Sequence, residues 1–218
     1  MKKLFLSAAV AVSTLTFAQQ FGVKAGVNVA SLSKDGTMED QSAKVGFNAG
    51  LFMNMPLAES FSFQPELLYS QMGEKNVYTE SATVAGVTTT YRETGEIALD
   101  YITLPLMFQY NATPAFYLEA GPELGLMVSG KAKGDVETTT TTGSSTSTVV
   151  SNYSNDLDKD QMNTFNVGIG IGAGYYFTPN IGITARYVAG LTDIAKDRPS
   201  GSDAVRNNVF QAGLAYKF

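Results

Sequence analysis

The chain has 218 residues, 15 basic and 20 acidic side chains, 21 glycines, and neither cysteine nor histidine. That composition excludes a disulfide framework, thiolate zinc sites, Ser-His-Asp and Cys-His nucleophilic arrangements and ordinary histidine metal centres. The acidic balance argues against nucleic acid as a partner, because phosphate binding needs clustered Lys and Arg.

Lys2 and Lys3 lead an apolar run from Leu4 to Val12, and a short polar region ends in Thr16-Phe17-Ala18. These are the charged, apolar and small-residue regions of a secretory signal peptide over residues 1–18, with cleavage expected between Ala18 and Gln19. The mature residues 19–218 then form one domain carrying 13 basic and 20 acidic residues, a net charge of −7. No cysteine is present to carry an acyl anchor, and no later run of eighteen apolar residues predicts a membrane helix.

Beyond the leader the chain alternates with period two, the signature of strands with one apolar face. Phe21 to Val29 sets Phe21, Val23, Ala25, Val27 and Val29 against Lys24, Gly26 and Asn28. Phe47 to Met55 repeats the pattern, and after a turn at 56–60 so does Phe61 to Gly73, with Phe63, Leu67 and Tyr69 opposed to Gln64, Glu66 and Ser70. Leu99 to Tyr110 sets Ile102, Leu104, Leu106 and Phe108 against a less regular face assigned Asp100, Thr103, Met107 and Gln109. Phe116 to Val128 opposes Tyr117, Glu119, Gly121, Glu123 and Gly125 to its apolar residues.

Thr164 to Phe177 is the cleanest stretch, with Phe165, Val167, Ile169, Ile171, Ala173, Tyr175 and Phe177 alternating with Asn166, Gly168, Gly170, Gly172, Gly174 and Tyr176. Glycine inside a strand is entropically unfavourable and packs nothing, so four of them on a water-facing strand gain nothing. They suit the inside of a narrow closed barrel, where larger side chains from other strands need the space. The apolar face then points outward into lipid. Ile183 to Leu191 and Phe210 to Phe218 complete eight strands.

Three tight turns, at 56–60, 111–114 and 178–180, alternate with four longer polar loops near 30–45, 73–96, 129–162 and 193–207. An outer-membrane barrel has that alternation of short periplasmic turns and long external loops. The expectation is an all-β, eight-stranded antiparallel up-and-down transmembrane barrel of the bacterial outer membrane, with both chain ends in the periplasm. The charged positions in 131–137 and 156–160 read as solvated loop, and Thr138 to Thr142 with Ser144 to Thr148 as a mobile low-complexity run. Aromatics at strand ends, among them Phe21, Phe47, Tyr69, Tyr110, Phe177, Tyr187 and Phe218, fit interfacial belts.

The opening Gly22-Val23-Lys24-Ala25-Gly26-Val27-Asn28, Gln64-Pro65-Glu66-Leu67-Leu68-Tyr69-Ser70, Tyr101-Ile102-Thr103-Leu104-Pro105-Leu106 and Ala120-Gly121-Pro122 resemble the porin-family, PorT-like outer-membrane β-barrel domain. The resemblance spans the mature chain and implies an OmpA-like or OmpX-like eight-stranded shape. It also implies that Leu214, Tyr216 and Phe218 resemble the signal read by the barrel-assembly machinery, with periplasmic chaperones as partners in biogenesis.

No enzymatic chemistry is predicted and no cofactor or metal. Asp156, Asp158 and Asp160 have the opening spacing of a calcium loop, but Gln161 and Val167 stand where glycine and glutamate are needed. The glycines from 168 to 174 do not complete a dinucleotide fingerprint, since Ala173 replaces the third glycine. Lys24, Glu66, Asp100, Glu119, Glu123, Arg186 and Lys217 are assigned to the interior as a polar network plugging the lumen, with Glu66 and Arg186 at its centre. The functional expectation is a monomeric membrane anchor, its loops meeting lipopolysaccharide or surface partners in a lipid setting. A small-solute channel of the same fold is the alternative, and a soluble lipocalin-like periplasmic barrel the third reading.

Overall fold

A computed structural model describes residues 19–33, 41–196 and 203–218. The signal peptide over 1–18 lies outside the described residues. Nine strands are present among the described residues: β1 (Gln20–Leu32), β2 (Gln41–Ala58), β3 (Phe61–Val84), β4 (Val87–Asn111), β5 (Phe116–Thr142), β6 (Ser145–Asp156), β7 (Phe165–Tyr176), β8 (Ile181–Gly190) and β9 (Asn207–Lys217). No helix among the described residues is long and apolar enough to cross a membrane.

Eight of these strands close a ring, because β4 pairs with β5 and β1 with β9 while β5 passes directly to β7. Every ladder is antiparallel, so the ring leaves no lipid-facing strand edge unsatisfied. β6 stands outside the ring and pairs only with the upper half of β5.

The apolar face points outward, as the alternation predicts. Phe21, Leu51, Leu67, Phe108, Leu126, Ile171, Ile183 and Leu214 are all about half exposed. That orientation removes the soluble lipocalin-like reading, which needs the apolar residues inside. Aromatic pairs mark the rims: Phe61 with Tyr110 and Tyr216 with Phe218 near the tight turns, and Phe47 with Tyr69 toward the opposite side.

The glycine stripe lines the inside of β7, and the space it leaves is used. A Cβ on Gly170 would meet the Met107 methyl at 2.8 Å and Arg186 Cδ at 3.4 Å, and one on Gly172 would meet Glu119 Oε1 at 3.0 Å. A Cβ on Gly174 would collide with the Tyr117 ring.

The external side departs from the loop expectation. Residues 73–96 and most of 129–162 are not loops: β3 and β4 stay paired from Gly73 and Ala98 to Val84 and Val87, and β5 and β6 from Lys131 and Asp156 to Thr142 and Ser145. Since β4 and β5 also pair over this length, β3, β4, β5 and β6 form one four-stranded sheet that runs about 40 Å along its strands beyond the ring, at about 3.4 Å per residue. The Thr and Ser run expected to be mobile is its tip. Threonine is a good strand former, and its hydroxyls bond in cross-strand rungs: Ser81 with Thr90, Thr83 with Thr88, Thr139 with Thr148 and Thr141 with Thr146. The β3–β4 hairpin turns through Ala85 and Gly86, both at positive φ, as a two-residue turn matched to strand twist requires.

Candidate functional site

The lumen is built around Arg186. Its position on β8 faces inward over Gly170 and Gly172, which lets the guanidinium cross the barrel. Nη1 and Nη2 donate to the two carboxylate oxygens of Glu66 at 2.9 and 2.8 Å, and Nε donates to Glu119 Oε1 at 2.7 Å. Lys24 Nζ donates to Glu66 Oε1 at 2.8 Å. The fork of donors matches two carboxylates at once, the arrangement in which arginine outperforms lysine. Gln64 and Gln109 donate to Glu66 and Glu119 respectively, so each carboxylate has further partners.

This charged layer is shut away from water. Arg186 is 2 % exposed, and the side chains of Glu66 and Glu119 are fully buried. On its external side, Asn28 bonds Ser70 and Asn48, and above them Ala30, Leu32, Met72, Leu99, Tyr101, Met127, Ile194 and Val209 form an apolar cluster. Leu157, Met162 and Val205, from the connections flanking β6, β7 and β9, pack against it. Toward the tight turns the lumen is filled by Phe52, Tyr117, Tyr176 and Ala215. A second polar knot of Asn54, Ser62, Gln64 and Gln109 occupies the other wall.

Of the seven residues assigned to the lumen, the structure brings Lys24, Glu66, Glu119 and Arg186 into direct contact. Glu123 is buried beside them, and its Oε2 has no partner. Lys217 lies at the turn end with Nζ 3.9 Å from the centre of the Tyr176 ring. Asp100 is a correction. It shares parity with Ile102 and Leu104, so it sits on the outer face, one strand away from Tyr69. Leu214, Tyr216 and Phe218 all project from the outer face of β9 and its end. The amides Asn28, Asn48, Asn54, Gln64 and Gln109 are the partners that a search limited to charged residues misses, although they share the inward parity of Glu66 or Glu119.

The external sheet is the second candidate surface, and its faces differ. A bulge at Val128 changes the parity of β5, so that Tyr78, Glu80, Tyr91, Glu93, Val136 and Tyr153 share the face continuous with the lumen. Lys75, Arg92, Lys131 and Lys133 share the outer face with Glu96, Asp135 and Glu137. Glu96 lies 3.2 Å from Lys133 and 3.8 Å from Lys75. On the lumen-side face, Tyr91 and Tyr153 donate to the two oxygens of Glu93 at 3.0 and 2.7 Å, and Tyr78 donates to Glu80 at 2.9 Å. Those bonds hold all three phenols above the usual tyrosine range. Tyr153 reaches Glu93 across β5 over Gly134, where a Cβ would meet its hydroxyl at 3.0 Å. Asp158 caps a single 3-10 turn at Lys159–Gln161, and Asp156 faces Lys131.

A family model described as outer membrane protein beta-barrel domain matches residues 17–196. The chain belongs to that family. The barrel therefore resides in the bacterial outer membrane, where its apolar belt meets lipid and lipopolysaccharide. Solved structures similar to it include the attachment invasion locus protein Ail of Yersinia pestis, at 13% identity and TM-score 0.44, covering 91% of this chain and 98% of that one. Neisserial surface protein A matches at 17% identity and TM-score 0.39, covering 91% and 97%. The Escherichia coli outer membrane protease OmpT matches at 12% identity and TM-score 0.35, covering 91% and 97%. Comparison with curated proteins by sequence finds no match.

Proposed function

We propose that the barrel is a non-enzymatic, monomeric membrane anchor with a plugged lumen, and that the external sheet is its working surface toward the cell's surroundings. The observation that carries this reading is the buried Arg186, Glu66, Glu119 and Lys24 layer held between two apolar clusters. An ion crossing that layer has to break charge-assisted bonds in a medium that does not replace them, which is unfavourable by several kcal/mol per ion. Biogenesis through the barrel-assembly machinery and periplasmic chaperones, with Leu214, Tyr216 and Phe218 as the signal, belongs to the same reading. The PorT-like character of the motifs at 22–28, 64–70, 101–106 and 120–122, taken as a set, does too.

The second reading is a small-solute channel. It is favoured by buried polar atoms without partners among the described residues, Thr103 Oγ1, Glu123 Oε2, Asn207 Oδ1 and Gln211 Nε2 among them, which together call for water inside. Planar-bilayer recording on the refolded mature chain separates the two. A barrel that migrates differently before and after boiling, inserts, and stays silent supports the anchor. Discrete, steady conductance steps overturn it.

A further inference from the structure

The lumen-side face of the external sheet carries Tyr78, Tyr91 and Tyr153 with Glu80 and Glu93. Among the described residues of β3, β4, β5 and β6 no lysine or arginine shares that face, since Lys75, Arg92, Lys131 and Lys133 all fall on the opposite parity, and Lys44 of β2, buried at the base of the sheet, has its Nζ 3.8 Å from Glu96. The segregation is complete over four strands, which leaves the lumen-side face negative and aromatic. It is also open: Tyr78 is 54% exposed and Val149 64% exposed. Tyr78 and Tyr91 meet edge to face at 6.4 Å between ring centroids, which fixes their orientation.

We propose that this face docks an extended, lysine- or arginine-bearing segment of a partner protein or peptide. The inference rests on reading the external sheet as the working surface and names the chemistry it accepts. A tyrosine ring attracts a cation to its face, and carboxylates pair with guanidinium and ammonium groups. The carboxylates are already oriented by phenol donors, so the charge is held in place before a partner arrives. Glu93 accepts from two phenols, yet it has further lone pairs to offer. An extended segment with a cation at every second position presents them on one side about 6.8 Å apart, a spacing set by strand geometry. The same period sets Glu80 beside Tyr78 and Glu93 beside Tyr91 on neighbouring strands.

The test uses the mature barrel refolded in zwitterionic detergent at low salt, titrated calorimetrically with a peptide of alternating arginine and serine. A glutamate-serine peptide and the neutral sugar maltoheptaose are the comparison probes. The expected result is binding of the arginine peptide alone, with Kd raised about tenfold or more in Glu80→Gln/Glu93→Gln and in Tyr78→Ala/Tyr91→Ala. Asp135→Asn/Glu137→Gln removes the same charge from the opposite face of the sheet and is expected to change Kd by less than about twofold. Equal weakening by both charge pairs overturns the proposal in favour of a diffuse field effect. Maltoheptaose binding that depends on the tyrosines overturns it in favour of a glycan site. Each variant is first checked for the boiling-dependent gel shift, so that an unfolded barrel is not scored. A conducting barrel counts against the anchor reading whatever the peptide does; a silent barrel that ignores the peptide overturns this inference alone.

Discussion

Replacing Arg186 by leucine removes the centre of the lumen layer. The guanidinium makes three hydrogen bonds of 2.7, 2.8 and 2.9 Å to two fully buried carboxylates. After its loss Glu66 keeps Lys24 and Gln64, while Glu119 keeps only Gln109 among these partners. Breaking a buried pair by removing one member destabilises by about 3–5 kcal/mol, because the remaining charge is stranded. For a chain of this size that is a fall of about 10 °C in the unfolding temperature. The assay is the temperature at which the refolded barrel loses its compact gel mobility in detergent. Adding Glu66→Gln and Glu119→Gln to Arg186→Leu neutralises the stranded carboxylates and is expected to recover part of the loss. An unchanged melting curve for Arg186→Leu, or a triple variant weaker than the single, refutes the role given to this layer.

The geometry sets two other outcomes. Gly170→Leu drives a side chain into the Met107 methyl and Arg186, with an expected destabilisation of about 1–3 kcal/mol that Met107→Ala relieves; a variant that melts like the parent shows that the stripe is not limiting space. The bonds to Glu80 and Glu93 raise the phenols of Tyr78, Tyr91 and Tyr153 above the free value of 10.0, so the stabilisation from these bonds is present below that pH and lost as pH rises through the folded values. Phenolate absorbance during an alkaline titration therefore contains a late phase, and Glu93→Gln moves the Tyr91 and Tyr153 share of it to lower pH. An unshifted Glu93→Gln titration removes the hydrogen-bond explanation.

The barrel is legible in the sequence because lipid imposes a strict period of two and a narrow lumen imposes glycine where a neighbour is large. Both signals are local, and they carry the strand count of the ring, the side each face takes and the turn positions. Asp100 is misassigned when its face is read by chemistry instead of parity: an aspartate looks interior beside Thr103, yet its even number places it with Ile102. The external sheet is hidden for a different reason. Its composition is that of a disordered segment, and the information that it is a strand lies in register, Thr88 to Thr90 opposite Thr139 to Thr141, which becomes visible only once β4 and β5 are aligned by the ring beneath them. Glu123 is placed in the interior by its parity, yet that parity does not reveal that its Oε2 is left without a partner.

The seam between β1 and β9 sets the order of events in assembly. Gly22 pairs with Lys217 and Leu32 with Asn207, so the contacts that close the ring join opposite ends of the sequence. Loop-closure entropy is met in full before those contacts return anything, and until then β1 and β9 each present an open row of amides and carbonyls that hydrocarbon does not solvate. A partly threaded chain thus has no stable resting place in the bilayer, and its exposed edges are sticky in the periplasm. Folding of this protein is expected to be a single late event in which the seam forms as the strands cross the membrane together, with β6 and the upper half of β5 zipping afterwards on a finished template.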